Sequence, residues 1–183
     1  RRRGPVVVIL AAAIGLLLWG GRMLLDNRTP DVQIAIVHAQ PLPDGVRAAL
    51  ERSLAELAGD LNGDGAVVAQ VNDYTVVFDG SATDSDLQTA GSTQLVTDLA
   101  LGDSALFVVE DPDGFLAWYA DKVDGGGAAL WADCPALAAL DAGTWSALED
   151  MDTDRTGQEL LAPLTVLPAG AAGEDALAAL LGR

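Results

Sequence analysis

Apolar and polar positions follow two different rules in this chain. From Gly4 to Gly21, GPVVVILAAAIGLLLWGG, no residue is charged and most are apolar, whereas beyond Leu25 apolar residues recur at the spacings of strands and helices. Val32 to Val37, VQIAIV, predicts a buried strand, and Pro41 and Pro43 then break the chain. Asp44 caps a predicted helix whose apolar positions Val46, Leu50, Leu54, Leu57 and Leu61 step by three and four, with Gly59 onward ending it. Ala66 to Phe78 predicts a strand or a bent pair of strands, and Asp79 to Asp86 a polar turn. A helix from about Asp86 is expected to turn Leu87, Ala90, Leu95 and Leu99 inward, Gly102 stops it, and Ala105 to Val109 supplies a third strand. The order β-α-β-α-β predicts an α/β fold, a single layered domain with a mostly parallel sheet and the first strand central. Further on, Asp113 to Ala120 predicts a short helix and Asp121 to Gly127 a loop. Single helical turns are expected at Pro135 to Leu140 and Trp145 to Asp150, an edge strand at Leu160 to Leu167 because of Pro163, and a last helix at Glu174 to Leu181.

The first apolar run changes the expected topology. Its 18 residues reach roughly 27 Å at about 1.5 Å per residue, close to the thickness of a bilayer's hydrocarbon core. A cleaved signal peptide is the rival reading of Val6 to Leu18. The one Ala-x-Ala step, Ala11 to Ala13, lies inside the apolar run, and bulky or charged residues follow. The expectation is therefore an uncleaved single-pass anchor over residues 1–25, a linker over 26–31 and an extracytoplasmic domain over 32–183. Arg1, Arg2 and Arg3 place the N-terminus on the cytoplasmic side of a cell membrane, and Trp19 sits at the outer interface.

Charge then bounds the partners. Residues 26–183 hold six basic residues against 27 acidic, a net charge of −21. A surface of that sign repels phosphate backbones, so nucleic acid is excluded as a partner; the membrane, through the N-terminal helix, and an unidentified protein remain. A single cysteine, Cys134, forms no internal disulfide and reads as a packed small hydrophobe.

Candidate chemistry is sparse. Asp60-Leu61-Asn62-Gly63-Asp64-Gly65 matches the first half of the calcium-loop pattern, with Asp60, Asn62 and Asp64 as side-chain ligands and Ala66 as a carbonyl ligand. Position 12 is Val71 where a bidentate acid belongs, so the alternatives are a polar turn without cofactor or a weak calcium site completed by a distal carboxylate. Gly102-Asp103-Ser104 has the look of the GDSL block of serine esterases, yet Ser104 precedes a strand rather than following one. His38, the only histidine, reads as a strand-end polar residue. Trp118, Tyr119, Trp131 and Trp145 are core aromatics before they are a sugar platform.

Two resemblances follow from these stretches. VQIAIV, AVVAQV and LVTDLALGDSALFVVED together resemble the first lobe of extracellular solute-binding proteins over roughly residues 32–111, which implies ligand capture at the carboxyl ends of the strands. DLNGDG, the GDS-plus-strand stretch and Asp133 to Asp141 resemble a group of single-pass membrane proteins of Gram-positive anaerobes that carry no assigned activity. The helix-loop-strand setting of DLNGDG is also similar to the calcium loop of periplasmic galactose-binding proteins. The expected function is a non-enzymatic, membrane-anchored interaction or accessory module, with no catalytic residues. A membrane-tethered ligand-binding lobe serving transport is the alternative, and a hydrolase the distant one.

Overall fold

Four β-branched residues among the first six from Val32 give the strand on which the domain is built. In the computed structural model, β1 (Val32–His38) is buried on both faces over Ile34 to Val37. The described residues are 29–81, 85–146 and 154–181; the predicted membrane helix lies outside them. No helix among the described residues is long and apolar enough to cross a membrane. The chain divides into two units, Arg1–Pro30 and Asp31–Arg183, and the fold is that of the second.

From β1 the chain runs through α1 (Asp44–Ala58) to β2 (Ala69–Thr75), then through α2 (Ser85–Leu101) to β3 (Leu106–Val109). β2 and β3 both pair with β1 in parallel, so the first strand is central as expected. The second half departs from expectation. β3 is followed by α3 (Pro112–Tyr119), the two-residue strand β4 (Ala129–Leu130), α4 (Pro135–Ala138) and a separate antiparallel hairpin, β5 (Thr144–Ser146) and β6 (Asp154–Thr156). Then come α5 (Gly157–Leu161), β7 (Thr165–Pro168) and α6 (Gly170–Leu180). The main sheet has the order β2-β1-β3-β7-β4, and its β7 pairs are antiparallel. The architecture is thus mixed α/β with a parallel core.

Helices cover both faces of the sheet. Ile34 and Ile36 of β1, with Leu106 and Val108 of β3, pack against Val46, Leu50 and Leu54 of α1, Leu137 of α4, Leu161 of α5 and Leu177 of α6. Ala35, Val37, Phe107 and Val109 face Leu95 of α2 and Phe115 of α3. Two crossovers of one hand, one from β1 to β2 and the next from β2 back past β1 to β3, run in opposite directions along the sheet and so place α1 and α2 on opposite faces, as observed.

Several expectations are corrected. α1 stops at Ala58, where Gly59 takes φ +69°, so Leu61 falls beyond the helix and is exposed, and Leu57 in the last turn is exposed too rather than inward. On α2 the inner stripe is Gly91, Leu95 and Asp98, and Leu87 and Ala90 are exposed. Trp145 lies in β5, paired opposite Arg155, where a helical turn was expected. Residues 160 and 161 end a helix held by the Thr156–Glu159 capping box, and β7, starting after Pro163, is an internal strand. Because Pro163 precedes the ladder, its missing N–H costs no pairing there.

The turn of α2 toward Gly91 has a steric cause. A Cβ at Gly91 would lie 2.3 Å from the Thr75 carbonyl oxygen, so glycine alone lets the helix backbone approach the end of β2. Gly91→Ala is expected to lower stability by about 1–3 kcal/mol, an overpacking cost exceeding the helix-propensity gain. Gly45→Ala, with nothing within 4 Å of the new methyl, should instead stabilise by about 0.4–1 kcal/mol. Urea midpoints at unchanged m-value check both.

Candidate functional site

Three parallel strands send their carboxyl ends to one side of the sheet. β1 leads into α1 on one face and β3 into α3 on the other, so their ends part and open a crevice between them, the usual ligand position of such sheets. The crevice measures about 310 Å³ and is lined by His38, Pro41, Pro43 and Glu110, with Leu160 and Leu164 as an apolar wall. His38 ends β1 as expected, on the α1 face, and its Nε2 lies 2.7 Å from Asp73 Oδ1. The other oxygen of Asp73 accepts the Leu42 N–H at 2.7 Å, and Glu110 Oε2 accepts the Ala39 N–H at 2.8 Å. The two carboxylates thereby fix the loop that leaves β1.

An imidazole beside a carboxylate is the orienting half of an acid–base machine, and it needs a substrate atom or a nucleophile on its free nitrogen. No hydroxyl or thiol lines this crevice among the described residues. Ser104 lies at the other end of the sheet, where Ala105 N–H meets the Gln33 carbonyl at the start of β1. From Gln33 to His38 is about 16 Å at the strand's rise per residue. The Ser104 hydroxyl donates to Asp98 Oδ2 at 2.7 Å, and the Ser104 N–H to Asp98 Oδ1 at 2.9 Å. Tyr74 OH donates to the same Oδ2 at 2.7 Å, and Asn72 Nδ2 approaches it at 3.3 Å. A carboxylate 4% exposed is held by four donors in place of a cation. The GDS stretch is therefore a turn whose Ser104 alone is buried: Gly102 takes φ +71°, its N–H bonds the Asp98 carbonyl, and Ser104 closes onto Asp98.

The calcium-like stretch forms a turn built on side-chain acceptors. Asp60 accepts from Gly63 N–H at 2.7 Å and Gly65 N–H at 3.0 Å, Asn62 Oδ1 from Asp64 N–H, and Asp64 Oδ1 from Ala66 N–H. A distal carboxylate is present, Asp31. One of its oxygens accepts the N–H groups of Leu61 and Asn62, and the other that of Val68. Among the described residues no group of three or more His, Cys, Asp or Glu is placed to hold a metal.

Of the aromatic candidates, Trp131 is fully buried and its Nε1 donates to Gln158 Oε1 at 2.8 Å, while the Gln158 amide donates to the carbonyls of Leu137 and Leu140. Trp118 is 71% exposed, and the side chain of Trp145 lies outside the described residues. Cys134 is buried, and burial together with Asp133 pushes its thiol up, away from nucleophilic use. Sequence reasoning missed Asp31, Asp73, Asp98 and Glu110. For Asp73 a signal existed, an acid inside a strand. The partners of Asp31 stand 30 or more positions away, beyond any local pattern.

No family model, no curated protein and no solved structure matches the chain.

Both tyrosines are held neutral. Burial first, then the bond donated to Asp98 and the charges of Asp98 and Asp103, pushes the Tyr74 phenol far above its usual 10.0, and burial raises Tyr119. A folded pKa above the unfolded one means this contribution is complete below pH 10 and declines as pH rises beyond it. At pH 10, where about half of each unfolded phenol is ionised, the native protein should show less phenolate absorbance than the unfolded chain, and denaturant should release it. Tyr74→Phe should cost about 1–3 kcal/mol by removing a donor from Asp98.

Asp31 has the opposite sign. Backbone N–H groups, Val68 foremost, lower its pKa below 3.8, so its contribution is present above that value and is lost as pH falls through the folded pKa. Asp31→Asn should melt earlier than the parent at neutral pH, and the gap should close in acid. Repeating the neutral melt in chelator and in millimolar calcium reads the Asp60–Gly65 turn: equal melting temperatures make it a turn and no more.

Proposed function

We propose that this chain is a non-enzymatic interaction module, displayed outside the cell and held at the membrane by a helix within residues 4–25. The observation that carries this reading is the separation of the two side chains on which hydrolytic chemistry would depend. His38 is engaged by Asp73 at the carboxyl end of the sheet, and Ser104 is buried against Asp98 at the amino end. Each is engaged in holding a loop or turn in place, and His38, the one histidine, stands at the opposite end of the sheet from Ser104. The apolar run behind three arginines supports the anchor, and the net charge of −21 over residues 26–183 supports a protein rather than a nucleic acid as partner.

A second reading, a tethered ligand-binding lobe, rests on the crevice between His38, Glu110 and the Leu160–Leu164 wall. At about 310 Å³ it lies at the small end of ligand pockets.

Expressed at full length, the protein should stay in the pellet after alkaline carbonate washing, be digested by protease added to intact cells, and take no label from a fluorophosphonate probe. Label on Ser104 would overturn the non-enzymatic reading, and release into the supernatant would remove the anchor.

A further inference from the structure

We infer that the free edge of β2 is a docking strand for an extended, basic segment of a partner protein. The inference rests on the interaction-module reading and names its surface and the chemistry of its partner. Among the described residues β2 ends the sheet and pairs with β1 alone. Its even-numbered residues spend their backbone groups inward, since Val68 carbonyl accepts from Asp31 and the Val76 N–H, just past the strand, donates to His38. In a parallel ladder the alternate residues, Val71 and Asp73, therefore direct both N–H and C=O outward. The Val71 N–H is satisfied by the Glu51 carboxylate at 3.1 Å, which confirms the direction. Asp73 has no backbone partner on that side among the described residues.

The edge is open over a limited window. At Thr75 the carbonyl is covered by α2 at Gly91. Before it, β2 forms the floor of a groove of about 610 Å³ whose walls are α1, through Arg47 and Glu51, and α2, through Gln94 and Thr97. A strand lying between two helices, with polar walls, fits recognition by strand addition, in which backbone bonds give affinity and alternate side chains give selectivity. Glu51 is then a stand-in acceptor that protects the edge until a partner strand replaces it.

Charge selects the occupant. Among the described residues, Glu51, Asp73, Asp103 and the buried Asp98 line the groove against one arginine, Arg47, itself paired to Asp44 at 2.7 Å, while Asp73 also meets the His38 imidazole. A second copy of this chain would bring two such grooves together inside a domain already strongly acidic, whereas lysines or arginines on an incoming strand meet complementary potential.

The test uses the full-length protein in detergent micelles and a fluorescent alternating Lys–Val peptide of about seven residues, a usual strand length. Binding is expected for this peptide and not for its Glu–Val counterpart. N-methylation of one alternate set of residues should weaken binding about tenfold or more, and of the other set little, because only one set faces β2. Gln94→Lys with Thr97→Lys, both exposed on the α2 wall, should weaken it similarly while leaving the melting temperature unchanged. Equal binding of both methylated peptides would reduce the contact to charge alone and overturn strand addition. No binding at low salt, equal binding of the Glu–Val peptide, or a protein dimer that excludes the Lys–Val peptide would each overturn the proposal as well. If the peptide fails while Ser104 stays unlabelled by fluorophosphonate, only the edge proposal falls; label on Ser104 removes the reading beneath it.

Discussion

Two-sided pairing of β1 is the constraint from which the rest of the structure follows. A strand bonded along both edges and buried on both faces can only be apolar over its middle, and Ile34 to Val37 meet that demand. Because both neighbours are parallel to it, each connection must cross the sheet, and the two crossovers take opposite faces. This arrangement brings His38, Thr75 and Val109 to the same end of the sheet and makes β2 an edge. The crevice and the groove are thus two consequences of one topology.

Buried polar groups set the details that apolar packing leaves open. Asp98 draws the end of α2, the start of β3 and the side chains of β2 onto one carboxylate. Gln158 draws the Trp131 indole and two carbonyls of the α4 region onto one amide. No buried side-chain nitrogen or oxygen among the described residues lacks a partner. A satisfied network of this kind costs little when complete and much when one member is lost, so it selects a single packing of otherwise interchangeable Ala- and Leu-rich helices. The same network holds the Ser104 hydroxyl on Asp98.

Acidic side chains do different work at different places. Asp31, Asp60 and Asp64 satisfy backbone donors of a turn, Asp73 and Glu110 hold the loop after β1, and Glu51 covers an edge donor. Such uses need no cation, which explains how the described part of a strongly acidic domain folds with few ion pairs. In the β2 groove the described carboxylates outnumber the one lining arginine, Arg47, which is the charge pattern on which a basic partner is proposed.

The first half of the fold was legible in the sequence because its elements are local: β-branched runs for β1 and β3, three- and four-residue spacing for α1, and a glycine at each helix end. Parallel order followed, since amphipathic crossovers between buried strands leave few alternatives. The second half was misread where elements are too short for periodicity to outweigh context, as at Trp145 in β5 and Leu160 at the end of α5. Leu87 and Ala90 on α2 were misplaced for a related reason. An apolar pattern cannot show that the inner stripe of a helix is a glycine pressed on a carbonyl and a buried aspartate. The candidate site was least legible of all. His38 could be placed at a strand end from sequence, but its pairing with Asp73 required the β1–β2 register, and the Asp98–Ser104–Tyr74 network required α2 to be seated. Hydrogen bonds across 24 to 37 residues leave no trace in local pattern, because which donors meet which acceptors is decided only when the sheet closes.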